Sequence, residues 1–206
     1  MDVSEINKIS QWLQTGSINI FGLPFSGKDT HAAEIQKLFN ASVISGGDIL
    51  RSSIGPKHIQ DHIGKGNLAP TDEYLEIVLP FLARQEYNGK PLILSSVGRW
   101  HGEEQSVMKA AKESGHPIKA VIYLSINETE SKRRWKLAER GREDDAAEHV
   151  LKNRFNEFRQ KTLPVINYYK RLGLLIEVDG MPAKDVVTSS ILLKLSILAS
   201  PKSSLS

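Results

Sequence analysis

The stretch that most limits what this chain can fold into is Gly22-Leu-Pro24-Phe-Ser26-Gly27-Lys28-Asp29-Thr30. An apolar, β-rich run from Ser17 to Phe21 leads into it, and a helical pattern from Lys28 to Phe39 leads out. A strand, a glycine-bounded loop and a helix in that order bring backbone N–H groups and the positive end of a helix to one point. The expected occupant is a polyphosphate. Gly22 and Gly27 permit the tight turn and close backbone approach, Pro24 and Ser26 belong to the cradle, and Lys28 reaches the β and γ phosphates as a point charge. Against the pattern G-x-x-x-x-G-K-[ST], Asp29 stands where a hydroxyl residue is expected, and Thr30 follows one place later. The bland alternative is a Gly-Pro turn with a surface lysine. The flanking strand and helix argue against it.

The rest of the chain repeats the alternation. Ala41 to Ile44, Pro91 to Ser95, Ala120 to Ile126 and Leu174 to Val178 read as further strands. Apolar residues at three- and four-residue spacing predict helices over Asp72 to Tyr87, Glu103 to Glu113 and Asn127 to Ala138, and over Asp144 to Leu172 with a kink near Pro164. Ser4 to Leu13 reads as an extra helix before the first strand, residues 1–16 forming an extension, and Ala183 to Leu198 as the closing helix before a polar tail, 199–206. The fold class is α/β, with a five-stranded parallel sheet. The 206 residues carry 27 Lys plus Arg against 24 Asp plus Glu, a balance too even to imply a nucleic-acid partner. Without cysteine there is no disulfide, thiolate metal site or thiol nucleophile, and no basic–apolar leader or membrane span is visible. These features predict a cytoplasmic protein.

Further motifs lie in one order: Ile44-Ser-Gly46-Gly-Asp48-Ile-Leu-Arg51, Gly66-Asn67-Leu68-Ala69-Pro70, Leu94-Ser-Ser-Val97-Gly98-Arg99, Arg142-Glu-Asp-Asp145, Asn153-Arg154 and Thr162 to Tyr169. In this register the chain resembles the adenylate kinases, as a short-lid member of the nucleoside monophosphate kinase family, from Ile18 to about Val187. The resemblance implies a three-layer P-loop kinase domain over 17–198, an acceptor-binding insertion at about 46–72, and a short lid at about 137–143. It implies an ATP-dependent phosphotransferase whose partners are ATP and a nucleoside monophosphate, AMP first, with Mg²⁺ accompanying ATP and the chain acting as a monomer. By resemblance, Arg51 and Arg99 hold the acceptor phosphate, and Gly46, Asn67, Leu68, Ala69, Val97 and Gly98 line the acceptor site. Arg133 stacks on the donor base, while Arg142 and Arg154 bracket the transferring group. Lys28, Arg99, Arg142 and Arg154 are thus the catalytic set.

Four positions depart from the family pattern. Gly46 replaces a threonine, Ser95 an aspartate, Phe25 a small glycine, and a lid arginine falls on Leu137, with Lys136 or Arg140 as stand-ins. The adenine-reading glutamine falls on Glu103 without a gap or on His101 with a deletion, with Gln105 further along. A carboxylate is thus lost at Ser95 and gained at Asp29. Either Asp29 organises Mg²⁺, with Asp48 the second acidic candidate, or it serves the first turn of the helix. Two rival readings stand beside the kinase: transfer to another small acceptor, and a nucleotide-binding protein whose transfer is weak or lost.

Overall fold

The computed structural model describes residues 2–52, 55–138 and 147–200. Its centre is a five-stranded sheet of β1 (Ser17–Gly22), β2 (Ser42–Ser45), β3 (Leu92–Ser95), β4 (Ile118–Ser125) and β5 (Leu175–Asp179), in the order β2-β3-β1-β4-β5. All four pairings are parallel, the arrangement expected when each strand is followed by a helical crossover. The α/β P-loop fold read from the sequence is the one observed.

Alternation along each strand distributes side chains to two covered faces. On β3, Ile93 faces α1 (Val3–Leu13), α2 (Lys28–Phe39) and α10 (Lys184–Leu198), whereas Leu92 and Leu94 face the layer containing α6 (Glu103–Glu113). On β1, Ile18 and Ile20 join the first layer. Phe21 joins a third cluster with Leu151 and Phe155 of α8 (Glu148–Glu157) and Val165 and Tyr169 of α9 (Leu163–Arg171). Ile18, Ile20 and Phe21 are fully buried, each contributing about 1.5–3 kcal/mol of burial free energy. The N-terminal helix is part of this core: Ile9 and Leu13 are fully buried against the α2–α10 layer.

Two predicted helices are divided. The pattern from Asp72 to Tyr87 becomes α5 (Thr71–Val78) followed by 3₁₀ turns at Leu79–Ala83 and Gln85–Tyr87. Pro80 lacks the amide that would continue the α ladder. The pattern from Asp144 to Leu172 becomes α8, one π turn at Phe158–Thr162, and α9, with Pro164 in the first turn of α9. The widened turn accommodates the missing proline amide. After β2 come α3 (Gly46–Arg51) and α4 (Lys57–Gly64), and after β4 comes α7 (Glu128–Leu137). Of the expected lid, Leu137 ends α7, while residues 139–143 lie outside the described residues, as do Arg140, Arg142 and the Asp144–Asp145 pair.

Candidate active site

Loops at the C-terminal ends of parallel strands surround the site, the usual ligand position in a doubly wound sheet. β1 runs into the glycine loop, and Gly27, with φ +98°, turns the chain into α2. Gly22 is required by close approach: a Cβ there would lie 2.4 Å from the Ser26 hydroxyl and 2.8 Å from the Leu124 carbonyl. The Lys28 ammonium donates to the Gly22 carbonyl at 3.0 Å and the Leu23 carbonyl at 2.9 Å, so it is folded over its own loop. Phe25 has φ +61°, which costs a bulky residue backbone strain, and its buried side chain borders the pockets on both sides of the loop.

On one side of the glycine loop, Lys28, Arg51, Arg99 and Arg154 line one pocket, where among the described residues the carboxylates are Asp29 and Glu103. Burial is the main cause that lowers the Arg99 pKa from the ordinary guanidinium range to about 10, and Arg154 and then Arg51 add to it through like charge. Its buried Nε has no hydrogen-bond partner among the described residues. Such a cation cluster is built to receive an anion. The loop carrying Arg99 is held from three directions. Asn19 on β1 exchanges hydrogen bonds with Val97, its amide donating to the carbonyl at 2.7 Å and its oxygen accepting the backbone N–H at 3.3 Å. The Gly98 N–H donates to the Tyr74 hydroxyl at 2.9 Å, and the Glu103 carboxylate accepts the Arg99 and Trp100 amides at 2.7 and 3.0 Å.

Tyr74 also explains Gly46. A Cβ at Gly46 would stand 2.6 Å from the Tyr74 oxygen, so the phenol of α5 occupies the space a larger side chain would need. Leu68 and Ala69 are buried, the Leu68 N–H donating to Glu157 of α8 at 3.0 Å, while Asn153 donates to Asn67 at 2.7 Å. Of the three candidates for reading the acceptor base, Glu103 reaches the pocket lining. His101 is exposed, with Nδ1 3.0 Å from the Glu104 carboxylate, and Gln105 is exposed.

A second pocket lies on the other side of the loop, lined by Gly27, Thr30, His31, Arg134, Gly180 and Lys184 among others. The two adjacent arginines of α7 are placed differently. Arg133 is absent from this lining and exposed, its guanidinium paired with Glu130 through two bonds of 2.7 Å. Its neighbour Arg134 enters the pocket, donating to the Gly180 carbonyl at 2.7 Å and the Ser26 carbonyl at 3.3 Å while also bonding Glu130. His31 of α2 is buried, and Nδ1 lies 3.1 Å from the Thr188 hydroxyl. That hydroxyl donates to the Lys184 carbonyl and therefore accepts from His31. Burial, followed by Lys184 and Arg134, lowers the His31 pKa, keeping the ring neutral near pH 7. Asn127 caps α7 by accepting the Glu130 N–H at 2.8 Å, and Ser131, donating to the Pro24 carbonyl at 2.6 Å, docks this helix on the glycine loop.

Of the acidic candidates for Mg²⁺, Asp29 accepts a hydrogen bond from Ser95 at 3.1 Å and lines the same pocket as Lys28 and Arg99. Asp48 is paired with Arg51 at 2.7 Å and is absent from the pocket lining. Among the described residues no group of three or more His, Cys, Asp or Glu side chains is placed to cage an ion. That donor set fits a metal that arrives with a polyphosphate and takes one protein carboxylate plus waters.

Comparison with known proteins bears directly on this geometry. The family model described as adenylate kinase matches residues 20–174, three quarters of the chain, taking in the end of β1 and all of β2, β3 and β4. The chain belongs to the adenylate kinase family. Among its relatives, the adenylate kinase of Azobacteroides pseudotrichonymphae is 33% identical over 189 residues, covering 87% of this chain and 96% of the relative. That of Thermus thermophilus is 30% identical over 188 residues, covering 87% and 97%, and that of Kocuria rhizophila 29% over 180 residues, covering 84% and 95%. The chain is accordingly a phosphotransferase, and its adenylate kinase relatives support phosphorylation of a nucleoside monophosphate. Among the described residues, no helix is long and apolar enough to cross a membrane.

The residues expected in the kinase site are thus largely brought together. Pro24, Lys28, Asp29, Arg51, Asn67, Leu68, Ala69, Arg99 and Arg154 share one pocket, and Gly27 and Thr30 border the other. Val97 and Gly98 form the turn beneath Arg99, Gly22 and Ser26 shape the loop, and Gly46 lies under Tyr74. Sequence reading missed Asn19, Tyr74, Arg134 and His31. A polar Asn19 inside an otherwise apolar strand was the one signal available for the first; the others become visible only when distant elements meet.

Proposed function

We propose that this protein transfers the γ-phosphoryl group of ATP to a nucleoside monophosphate, with AMP the principal acceptor, giving two nucleoside diphosphates. The observation that carries the reading is the convergence of Lys28, Arg51, Arg99 and Arg154 on one pocket directly beside the glycine loop. Binding draws Lys28 from the Gly22 and Leu23 carbonyls onto the β and γ phosphates. Arg51 and Arg99 hold the acceptor phosphate in line with the γ phosphorus, and Arg154 neutralises charge on the equatorial oxygens, with Arg142 of the lid as its expected companion. An anionic oxygen of the acceptor forms the new P–O bond as the bond to the β–γ bridging oxygen breaks. That bridging oxygen leaves with the electron pair as part of ADP. The attacking oxygen already carries its charge, so no general base is required.

Mg²⁺, when bound with ATP, would supply neutralisation of charge on the phosphate oxygens; Asp29, which lines the pocket, would hold it, whereas Asp48 is paired with Arg51. Arg134 and His31 border the donor base. The family supports the remaining expectations, a cytoplasmic protein acting as a monomer with ATP and a monophosphate as its ligands. A second reading, a nucleotide-binding protein with weak transfer, is favoured by Phe25, whose strained backbone places a large ring between the two pockets. One experiment decides between them: ATP is offered with AMP, GMP, CMP, UMP and the deoxynucleotides, and diphosphate formation is followed. AMP is expected to be the best acceptor. ATP binding with no monophosphate phosphorylated would overturn the kinase reading.

A further inference from the structure

A phosphate-loop site commonly flanks its metal with a hydroxyl from the residue after the loop lysine and a carboxylate from the end of the neighbouring strand. Both groups are present here, in exchanged positions. The carboxylate, Asp29, follows Lys28 in the first turn of α2; the hydroxyl, Ser95, ends β3, the strand hydrogen-bonded to β1. Although 66 positions apart, they meet: Ser95 Oγ donates to Asp29 Oδ1 at 3.1 Å. Ser95 is buried at 6% exposure and held in register between Ile20 of β1 and Ser45 of β2, whereas Asp29 is exposed and lines the pocket. A rigid hydroxyl therefore aims a solvent-facing carboxylate.

We infer that Ser95 and Asp29 are a reciprocally exchanged metal pair, in which the glycine-loop side supplies the carboxylate for nucleotide-bound Mg²⁺ and the strand supplies the hydroxyl that orients it. The inference rests on ATP being the donor nucleotide and adds to that reading the route by which a chain lacking an acidic residue at the end of β3 still binds the metal complex. Charge gives the physical reason. A carboxylate next to Lys28 repels the polyphosphate that Lys28 attracts, and a divalent cation between them reverses the sign. A role confined to the helix dipole leaves that repulsion in place, because Asp29 would then favour the first turn of α2 and oppose the ligand.

The test is the affinity for ATP with Mg²⁺ divided by the affinity in EDTA, measured calorimetrically without acceptor, so that failure of phosphoryl transfer does not affect it. In Asp29→Asn, which keeps shape and the contact with Ser95, metal-free ATP is expected to bind more tightly and the Mg²⁺-dependent gain to fall about tenfold. Asp29→Ser is expected to lose the gain similarly, and the double variant Asp29→Ser/Ser95→Asp, which restores the usual arrangement, to recover it to within about threefold of the parent. A Mg²⁺ gain unchanged in Asp29→Asn overturns the inference. So does a folded double variant that binds no better with Mg²⁺ than Asp29→Ser, or a parent protein whose ATP affinity ignores Mg²⁺. Absence of transfer to any monophosphate, with the Mg²⁺ gain intact, would refute the kinase reading alone.

Discussion

Arg99→Met should make the ligand-free protein more stable while nearly disabling it. Arg99 sits beside Arg154 and Arg51, and burial with these like charges brings its pKa well below the guanidinium range, to about 10. At about 1.4 kcal/mol per pKa unit, that shift sets a ceiling near 3 kcal/mol on what the charge costs the empty fold. Because the cation is the disfavoured form, the penalty stands in full at neutral pH and lifts only as pH rises through about 10 towards the ordinary guanidinium range. Residual solvent and relaxation reduce the realisable gain to about 1–2 kcal/mol, in line with buried charges replaced by apolar side chains of similar volume. Met keeps the volume and removes the charge. For a domain of this size the expected rise in Tm is about 2–8 °C. A clamp on the transferring or acceptor phosphate contributes about 3–4 kcal/mol to the transition state, so kcat/KM should fall about 10²–10³-fold. Thermal melts with and without a bisubstrate nucleotide analogue, alongside steady-state kinetics, measure both effects, and the analogue should stabilise the parent more than the variant. A variant that melts below the parent, or retains kcat/KM within about threefold, refutes the argument that this cation is held ready for an anion.

Replacing the two adjacent arginines one at a time separates their roles: Arg134→Ala should raise KM for ATP about tenfold or more by freeing the Ser26 and Gly180 carbonyls, whereas Arg133→Ala should change it less than about threefold. Gly46→Thr should destabilise the fold by about 1–3 kcal/mol through overlap with the Tyr74 hydroxyl. Tyr74→Phe should reduce that cost, so the two changes are less than additive in chemical denaturation, with full additivity contradicting the packing explanation. Phe25→Gly should relieve the strain at φ +61° yet open the partition between the pockets. ATP hydrolysis without acceptor is then expected to rise severalfold while transfer slows, and unchanged hydrolysis would show that Phe25 excludes no water.

Local chemistry made the frame of this protein readable from its residues. A loop that must turn tightly and approach phosphate needs glycine at positions 22 and 27, a doubly covered strand needs an apolar run such as Ser17 to Phe21, and Pro164 must disturb a helix wherever that helix lies. Each requirement acts over a few neighbouring residues, so order and spacing suffice. Direction and contact obey other rules. Adjacent helical residues point about 100° apart, so composition names two arginines on α7 and only docking against the glycine loop decides that Arg134 enters the pocket and Arg133 faces water. The meeting of Ser95 with Asp29, the filling of the Gly46 space by Tyr74 and the burial of His31 against Thr188 all join residues far apart in the chain. They follow from how parallel strands register and how two helical layers close over them, and no local pattern carries that information.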